Sequence, residues 1–256
     1  MSADDRNPLA YKNAAFIDSD DARPIRILAE YLDPLSAFRH EHISDTIVFF
    51  GSARIAPDGP LGKYYDAARE LARLVTVWSK NLQSHVHRYV VCSGGGPGIM
   101  EAANRGASDA GGKTIGLNSG LPHEQRPNPY VTRELSFEFH YFFMRKLWFA
   151  SMARGLVVFP GGFGTLDEMT EILTLMQTRK IDRRIPIVMY GSDYWNEIIN
   201  FDALVRHGMI DAEDLKLIQF ADDPSTALRM LQAGIAMELQ QDEATPAIAH
   251  CKVPPG

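Results

Sequence analysis

Apolar residues in this chain alternate between short continuous runs and longer stretches with helical spacing. The runs are Thr46 to Phe50, Tyr89 to Cys92, Thr114 to Leu117, Leu156 to Phe159, Pro186 to Tyr190 and Leu217 to Phe220. Each has the length of a strand buried on both faces. Another short strand is expected through Val131 to Phe137. Between the runs, residues 24–42 carry Ile27, Leu28, Tyr31, Leu32 and Leu35 at helical spacing, with Pro34 expected to interrupt them. Leu61 to Leu82 sets Leu61, Tyr64, Ala68, Leu71, Ala72 and Val75 on one helical face. An aromatic helix is expected across residues 139–155, and further helices near Trp195 to Val205 and from Pro224 to Leu239.

Strands alternating with helices of this length predict an α/β fold, a Rossmann-like doubly wound parallel sheet in a single domain. The domain is expected over residues 23–240, with a flexible arm at 1–22 and a flexible tail at 241–256. In such sheets ligands bind beyond the carboxyl ends of the strands. Three glycine turns fall at such ends: Gly51-Ser52, Ser93 to Gly98 and Gly161 to Thr165. They are expected to share one rim.

Composition narrows the function classes. The 256 residues suffice for one large domain, and their formal net charge of −6 argues against a nucleic-acid binder. Cys92 and Cys251 are the only cysteines, far apart and without CxxC spacing, so a reducing compartment is expected and a structural metal is not. No apolar h-region opens the chain and no apolar run has the roughly 20 residues of a membrane span. The expected location is the cytoplasm.

The third turn raises the sharpest question. In "VVFPGGFGTLDEMTEIL" an apolar run enters Gly161, Gly162, Gly164 and Thr165, a turn able to present N–H groups to an anion. Asp167, Glu168 and Glu171 follow at once, where they would repel it. Neither the Walker A pattern nor GxGxxG is present. One reading is a tight connection whose acidic residues complement the helix dipole, Asp167 above all. The other is a site where phosphate lies on the turn and the reacting carbon lies over Glu168 and Glu171. A carboxylate there steadies an oxocarbenium-like carbon or activates water. The buried stripe is expected at Leu166, Met169, Ile172, Leu173 and Met176, with Glu168 and Glu171 on the opposite face.

The second turn, with Gly95, Gly96 and Glu101, is built similarly, and Glu101 either holds ribose hydroxyls or complements a dipole. Arg145 and Lys146 sit among aromatic residues and need solvent or an anion. His40/His42 and His85/His87 have i,i+2 spacing, unsuited to one metal on a helix face. Ser52 and Ser93 have no neighbouring base and no GxSxG elbow.

"PGGFGTLDE" at Pro160 to Glu168, "GGGPGIMEAANRGA" at Gly94 to Ala107 and "MRK" at Met144 to Lys146 resemble the LOG family of cytokinin-activating phosphoribohydrolases. That family also goes by the name "possible lysine decarboxylase". The likeness runs from about Thr46 to Phe220 and is closest to a longer bacterial branch. It implies a Rossmann-like fold and hydrolysis of the N-glycosidic bond of a nucleoside 5′-monophosphate, AMP or an N6-modified cytokinin nucleotide, to free base and ribose 5-phosphate. The family's catalytic pair carries over to Arg145 and Glu168. Its phosphate loop carries over to Gly161, Gly162, Gly164 and Thr165, and Glu101 and Met144 match positions near sugar or base. Ser52, Gly95, Gly96, Lys146 and Glu171 complete the expected substrate site. No cofactor is implied: pyridoxal chemistry needs a Schiff-base lysine, and no lysine here stands in such a setting. A homodimer or larger homo-oligomer is implied. The rival is a non-catalytic nucleotide or molybdenum-cofactor carrier of the same fold.

Overall fold

The computed structural model describes residues 7–82, 84–120 and 127–244, with side chains to 240. Two short helical turns (Ala10–Lys12 and Asp20–Ala22) and helix α1 (Ala14–Ile17) lead into α2 (Arg23–His40). Then follow β1 (Thr46–Phe50), α3 (Gly62–Lys80), β2 (Val90–Ser93), α4 (Ile99–Asp109), β3 (Thr114–Ser119), β4 (Ser136–Phe139), α5 (Phe142–Met152) and β5 (Ala153–Val158). The chain continues through α6 (Phe163–Gln177), β6 (Ile187–Tyr190), α7 (Ser192–Ile198), α8 (Phe201–Arg206), β7 (Ile218–Ala221) and α9 (Pro224–Ala244).

All strand pairs are parallel, in the order β4-β3-β2-β1-β5-β6-β7. The doubly wound sheet read from the sequence is the fold. Side chains of β1 alternate across it. Ile47 and Phe49 enter a layer with α3, α4 and α9, while Val48 and Phe50 enter a second layer with α2, α5, α6 and α7. Two covered faces explain why the strands read as continuous apolar runs. Successive strands run one way from β1 and the other way from β5. A crevice must therefore open between those two, where the following segments diverge.

Several elements differ from expectation. The strand sought at Val131 to Phe137 begins only at Ser136, after a 3₁₀ turn at Arg133–Leu135. The helix sought at Trp195 to Val205 is two, because the Asn200 side chain accepts from Ala203 N–H at 2.8 Å and starts α8. The last helix runs to Ala244 rather than Leu239. Within the expected arm, the carbonyls of Ile17 and Ser19 accept from the Arg26 guanidinium at 2.5 and 2.6 Å.

Pro34 lies inside α2 and does not interrupt it. A proline has no N–H, so the carbonyl of Glu30 loses its donor within the helix. The buried Trp148 indole of α5 supplies one instead, at 3.1 Å. Its ring is held by Tyr31 and Phe38 of α2, with centroids 5.4 and 5.3 Å away. The carboxylate of the same Glu30 accepts from the N–H groups of His140 at 2.7 Å and Tyr141 at 3.1 Å. Those groups enter α5, which has no cap from its own sequence. Helix α2 thus fixes α5 at its start and its middle.

Replacing Trp148 by Phe keeps most of the packing and strands the Glu30 carbonyl, at a cost of about 1–3 kcal/mol. Adding Pro34→Ala returns an N–H to that carbonyl, so urea unfolding of the double variant is expected to recover part of the loss. Independent, additive costs would contradict this account.

Candidate functional site

The crevice between β1 and β5 is a cleft of about 1240 Å³. Its floor is made by the three turns, which are hydrogen-bonded to one another. Ser52 N–H donates to the Pro160 carbonyl at 3.0 Å, and Ile99 N–H donates to the Ser52 carbonyl at 3.1 Å. Gly98 has φ +68°, and a Cβ there would lie 2.4 Å from the Ser52 oxygen. The close approach of the first two turns therefore requires glycine.

The second turn is braced from below by buried amides. Ser93 Oγ accepts from Gly95 N–H at 3.0 Å and donates to Asn104 Oδ1 at 2.7 Å. Asn128 Nδ2 donates to the carbonyls of Gly95 and Gly96, each at 3.0 Å, and to Asn104 Oδ1 at 2.9 Å. These bonds satisfy polar groups that burial would otherwise penalise, and they set the turn's shape.

In the third turn, α6 starts at Phe163, earlier than the expected Thr165, with Gly162 as its first flanking residue. No side chain caps it, and the Gly161 carbonyl accepts from the Tyr194 hydroxyl at 2.9 Å. Among the described residues no acceptor meets the N–H groups of Phe163, Gly164 and Thr165. Cβ positions built on Gly162 and Gly164 meet only open space. The positive end of α6 thus faces the cleft uncovered.

The earlier start of α6 changes the roles of its acids. Asp167 falls in the second turn, beyond the reach of the dipole, and pairs with Lys146 Nζ at 2.8 Å. Lys146 also meets Glu171 at 3.1 Å. Glu168 is buried beside Met169 and Ile172 rather than opposite them. A charge can lie there because Arg145 Nη1 donates to its Oε1 at 3.2 Å. Arg145 Nε donates to the Leu117 carbonyl at 2.8 Å, and the guanidinium lies 5.3 and 5.1 Å from the ring centres of Phe142 and Phe149. A Cβ on Gly94 would fall 2.7 Å from Arg145 Nη2, so that glycine leaves the guanidinium its place.

Burial pushes the Glu168 carboxyl up from its ordinary 4.5 to about 7, against the opposing pull of Arg145 and then Lys146. Burial also lowers Arg145, while Glu168 draws it back up. It is the carboxyl that is brought near neutrality. The result is an acid–base group at the foot of an open helix N-terminus, poised where general acid–base catalysis works best.

Of the residues singled out in the sequence, Ser52, Arg145, Gly161, Gly162, Gly164, Thr165 and Glu168 line this one cleft. Gly95 and Gly96 are turned toward Asn128. Glu101 accepts from the Tyr65 hydroxyl at 2.7 Å, Met144 is in the core, and Lys146 and Glu171 pair beside the cleft. Of the segment from Leu121 to Tyr130, residues 121–126 lie outside the described residues. Arg54, Asn118, Ser119, Phe142, Phe163 and Tyr194 also line the cleft. Asn118 and Ser119 were findable as the carboxyl end of a strand; Tyr194 has no sequence signal.

Residues 100–231 match the model of the family described as "possible lysine decarboxylase". This is the LOG family, and the matched span includes Arg145, Glu168 and the glycine turn between them. The chain belongs to that family. Among LOG relatives, cytokinin riboside 5′-monophosphate phosphoribohydrolase LOG3 of Arabidopsis thaliana is 26% identical over 189 residues, covering 72% of this chain and 80% of the relative. The phosphoribohydrolase LOG of Oryza sativa subsp. japonica is 30% identical over 175 residues, covering 67% and 65%. The X-ray structure of TM1055 has the same fold, with a TM-score of 0.51 at 20% identity over 74% of this chain and 99% of that one.

The raised carboxyl predicts a pH-dependent stability. Folded Glu168 holds its proton up to about pH 7, whereas the unfolded group releases it near 4.5. Its contribution is full below 4.5 and is lost as pH rises through about 7. In urea unfolding, the stability of wild type minus that of Glu168→Gln is therefore expected to fall between pH 5 and pH 8. A difference that is flat or rises over this range would show the carboxyl to be ionised throughout.

Proposed function

We propose that the protein hydrolyses the N-glycosidic bond of a nucleoside 5′-monophosphate, AMP or an N6-modified cytokinin nucleotide. The observation that carries this reading is the placement of Glu168: buried, paired with Arg145, and one to two turns along the helix whose open N-terminus faces the same cleft. The names of the LOG relatives supply the reaction class, and the geometry supplies roles.

Phosphate lies on the N–H groups of Gly164 and Thr165, which places its negative charge away from the carboxylate. The ribose then lies over Glu168. As the bond from C1′ to the base nitrogen breaks, its electron pair leaves with the base, and positive charge develops at C1′ and the ring oxygen. Ionised Glu168 stabilises that charge and takes a proton from the attacking water, whose oxygen forms the new bond to C1′. Arg145 orients the carboxylate. The proton taken by Glu168 passes through solvent to the departing base nitrogen, and the products are the free base and ribose 5-phosphate. A carrier that releases its ligand unchanged gains nothing from a buried, near-neutral carboxyl at the sugar end of its site.

No helix among the described residues is long and apolar enough to cross a membrane. We place the protein in the cytoplasm as a homo-oligomer, since Phe142, Phe143 and Leu147 present an exposed apolar face on the helix that carries Arg145. No cofactor enters the proposed reaction.

AMP incubated with the wild type is expected to yield adenine and ribose 5-phosphate by chromatography. Glu168→Gln should lose about 100-fold or more in kcat; a loss below about tenfold would remove Glu168 from the chemistry. N6-isopentenyl-AMP, GMP and CMP in the same assay rank the bases. With ionised Glu168 as the active form, kcat is expected to fall as pH drops below about 7. Gly94→Ala crowds the Arg145 guanidinium and is expected to lower kcat by about tenfold without unfolding the chain. Unchanged kcat in that variant would mean that the exact seat of Arg145 is immaterial.

A further inference from the structure

The charges that line the cleft do not balance for a phosphate ligand. Among the described residues three charged ones line it: Arg54, Arg145 and Glu168. With Glu168 ionised, the active form, it and Arg145 neutralise one another at 3.2 Å. A phosphate monoester carries between one and two negative charges at neutral pH, and a helix N-terminus offers roughly half a positive charge. The open turn of α6 therefore leaves most of the ligand's charge unmatched. Arg54 stands in no ion pair among the described residues, although Asp58 follows four positions along the same loop.

Arg54 is exposed, and its backbone is tied to the floor of the cleft. Its N–H donates to Ser52 Oγ at 3.1 Å, and the next residue, Ile55, is buried in the core. Ser52 is in turn fixed between the second and third turns, through Ile99 and Pro160. The Pro160 carbonyl that receives the Ser52 N–H lies directly before Gly161. The exposed side chain of Arg54 thus lines the cleft from a loop tied, through Ser52 and Pro160, to the turn that opens α6.

We propose that Arg54 is the counter-ion of the substrate's 5′-phosphate and the residue by which the site distinguishes a nucleotide from its nucleoside. This rests on the hydrolase reading for its substrate, but the phosphate contact itself does not. The phosphate is held between two unlike donors: N–H groups of α6 from below and the planar guanidinium from the rim. A guanidinium suits this position because two of its N–H groups can meet two phosphate oxygens at once. The residue lies outside the span matched by the family model, and its interaction is with the end of the ligand remote from the reacting carbon. Its role is binding and selection, not chemistry.

The test measures Arg54→Ala and Arg54→Lys against wild type in two ways. In turnover, Arg54→Ala is expected to raise KM for AMP by about tenfold to a hundredfold with kcat within about twofold. Residual cleavage of adenosine, which has no phosphate, should be unchanged, and Arg54→Lys should recover only part of the loss. In calorimetry, ribose 5-phosphate should bind wild type and lose about tenfold or more in affinity in Arg54→Ala, with a weaker salt dependence. Ribose 5-phosphate affinity within twofold of wild type overturns the proposal, as does an equal loss for adenosine and AMP. If wild type cleaves no nucleotide yet binds ribose 5-phosphate through Arg54, the hydrolase reading fails and this one stands. If wild type binds no ribose 5-phosphate, this proposal fails, and the AMP assay alone decides the hydrolase reading.

Discussion

Neither Arg145 nor Glu168 could be buried without the other, and much of the structure follows from burying both. Removing two charges from water costs several kcal/mol each, and their attraction offsets this only when the remaining donors also find partners. Arg145 meets that condition through the Leu117 carbonyl and two aromatic rings. Gly94 leaves space for the guanidinium, and α5 must hold its base still. That last requirement reaches across the chain to α2, where Glu30 takes the first N–H groups of α5 and the carbonyl left bare by Pro34 takes Trp148. Local helix signals set α2 and α5 separately. The bonds between them set the position of the pair.

The pair is better explained by chemistry than by stability. Hydrophobic residues of the same size would make the region easier to fold, because a carboxyl raised to about 7 is costly to keep ionised at neutral pH. Lys146 eases the cost by drawing Asp167 and Glu171 away from Glu168, so that one carboxylate, not three, faces the cleft. This answers the problem posed by acids behind a phosphate turn. Two of them are neutralised on the outer side of α6, and the third lies a turn or more from the N–H groups.

The sheet was legible in the sequence because its strands are buried on both faces. Thr46–Phe50 needed no partner to be read, since five apolar or small residues in a row fit little else. The glycine turns were legible for a similar local reason, as were Arg145 and Glu168 once the motifs around them were matched. What escaped was whatever depends on a contact between distant residues. Pro34 reads as a break unless Trp148, 114 positions later, is known to serve the carbonyl it exposes. Asp167 reads as a dipole partner unless α6 is known to start at Phe163. The brace of Asn104 and Asn128 under the second turn joins two asparagines with no shared spacing or motif.

The N-termini of α4, α5 and α6, which lie at or near the rim, are treated differently. The first N–H of α4, at Ile99, is given to the Ser52 carbonyl. The N–H groups leading into α5 are given to the carboxylate of Glu30, an anion supplied by the chain itself. At α6 the described residues supply neither a carbonyl nor a carboxylate, and Gly162 and Gly164 add no side chain over the opening. Where an anion serves only to hold the fold, this protein builds one in. Of these three N-termini, the one whose first three N–H groups meet no acceptor among the described residues is the one beside Glu168, and a helix end is left without its anion at a cost in stability unless a ligand brings one.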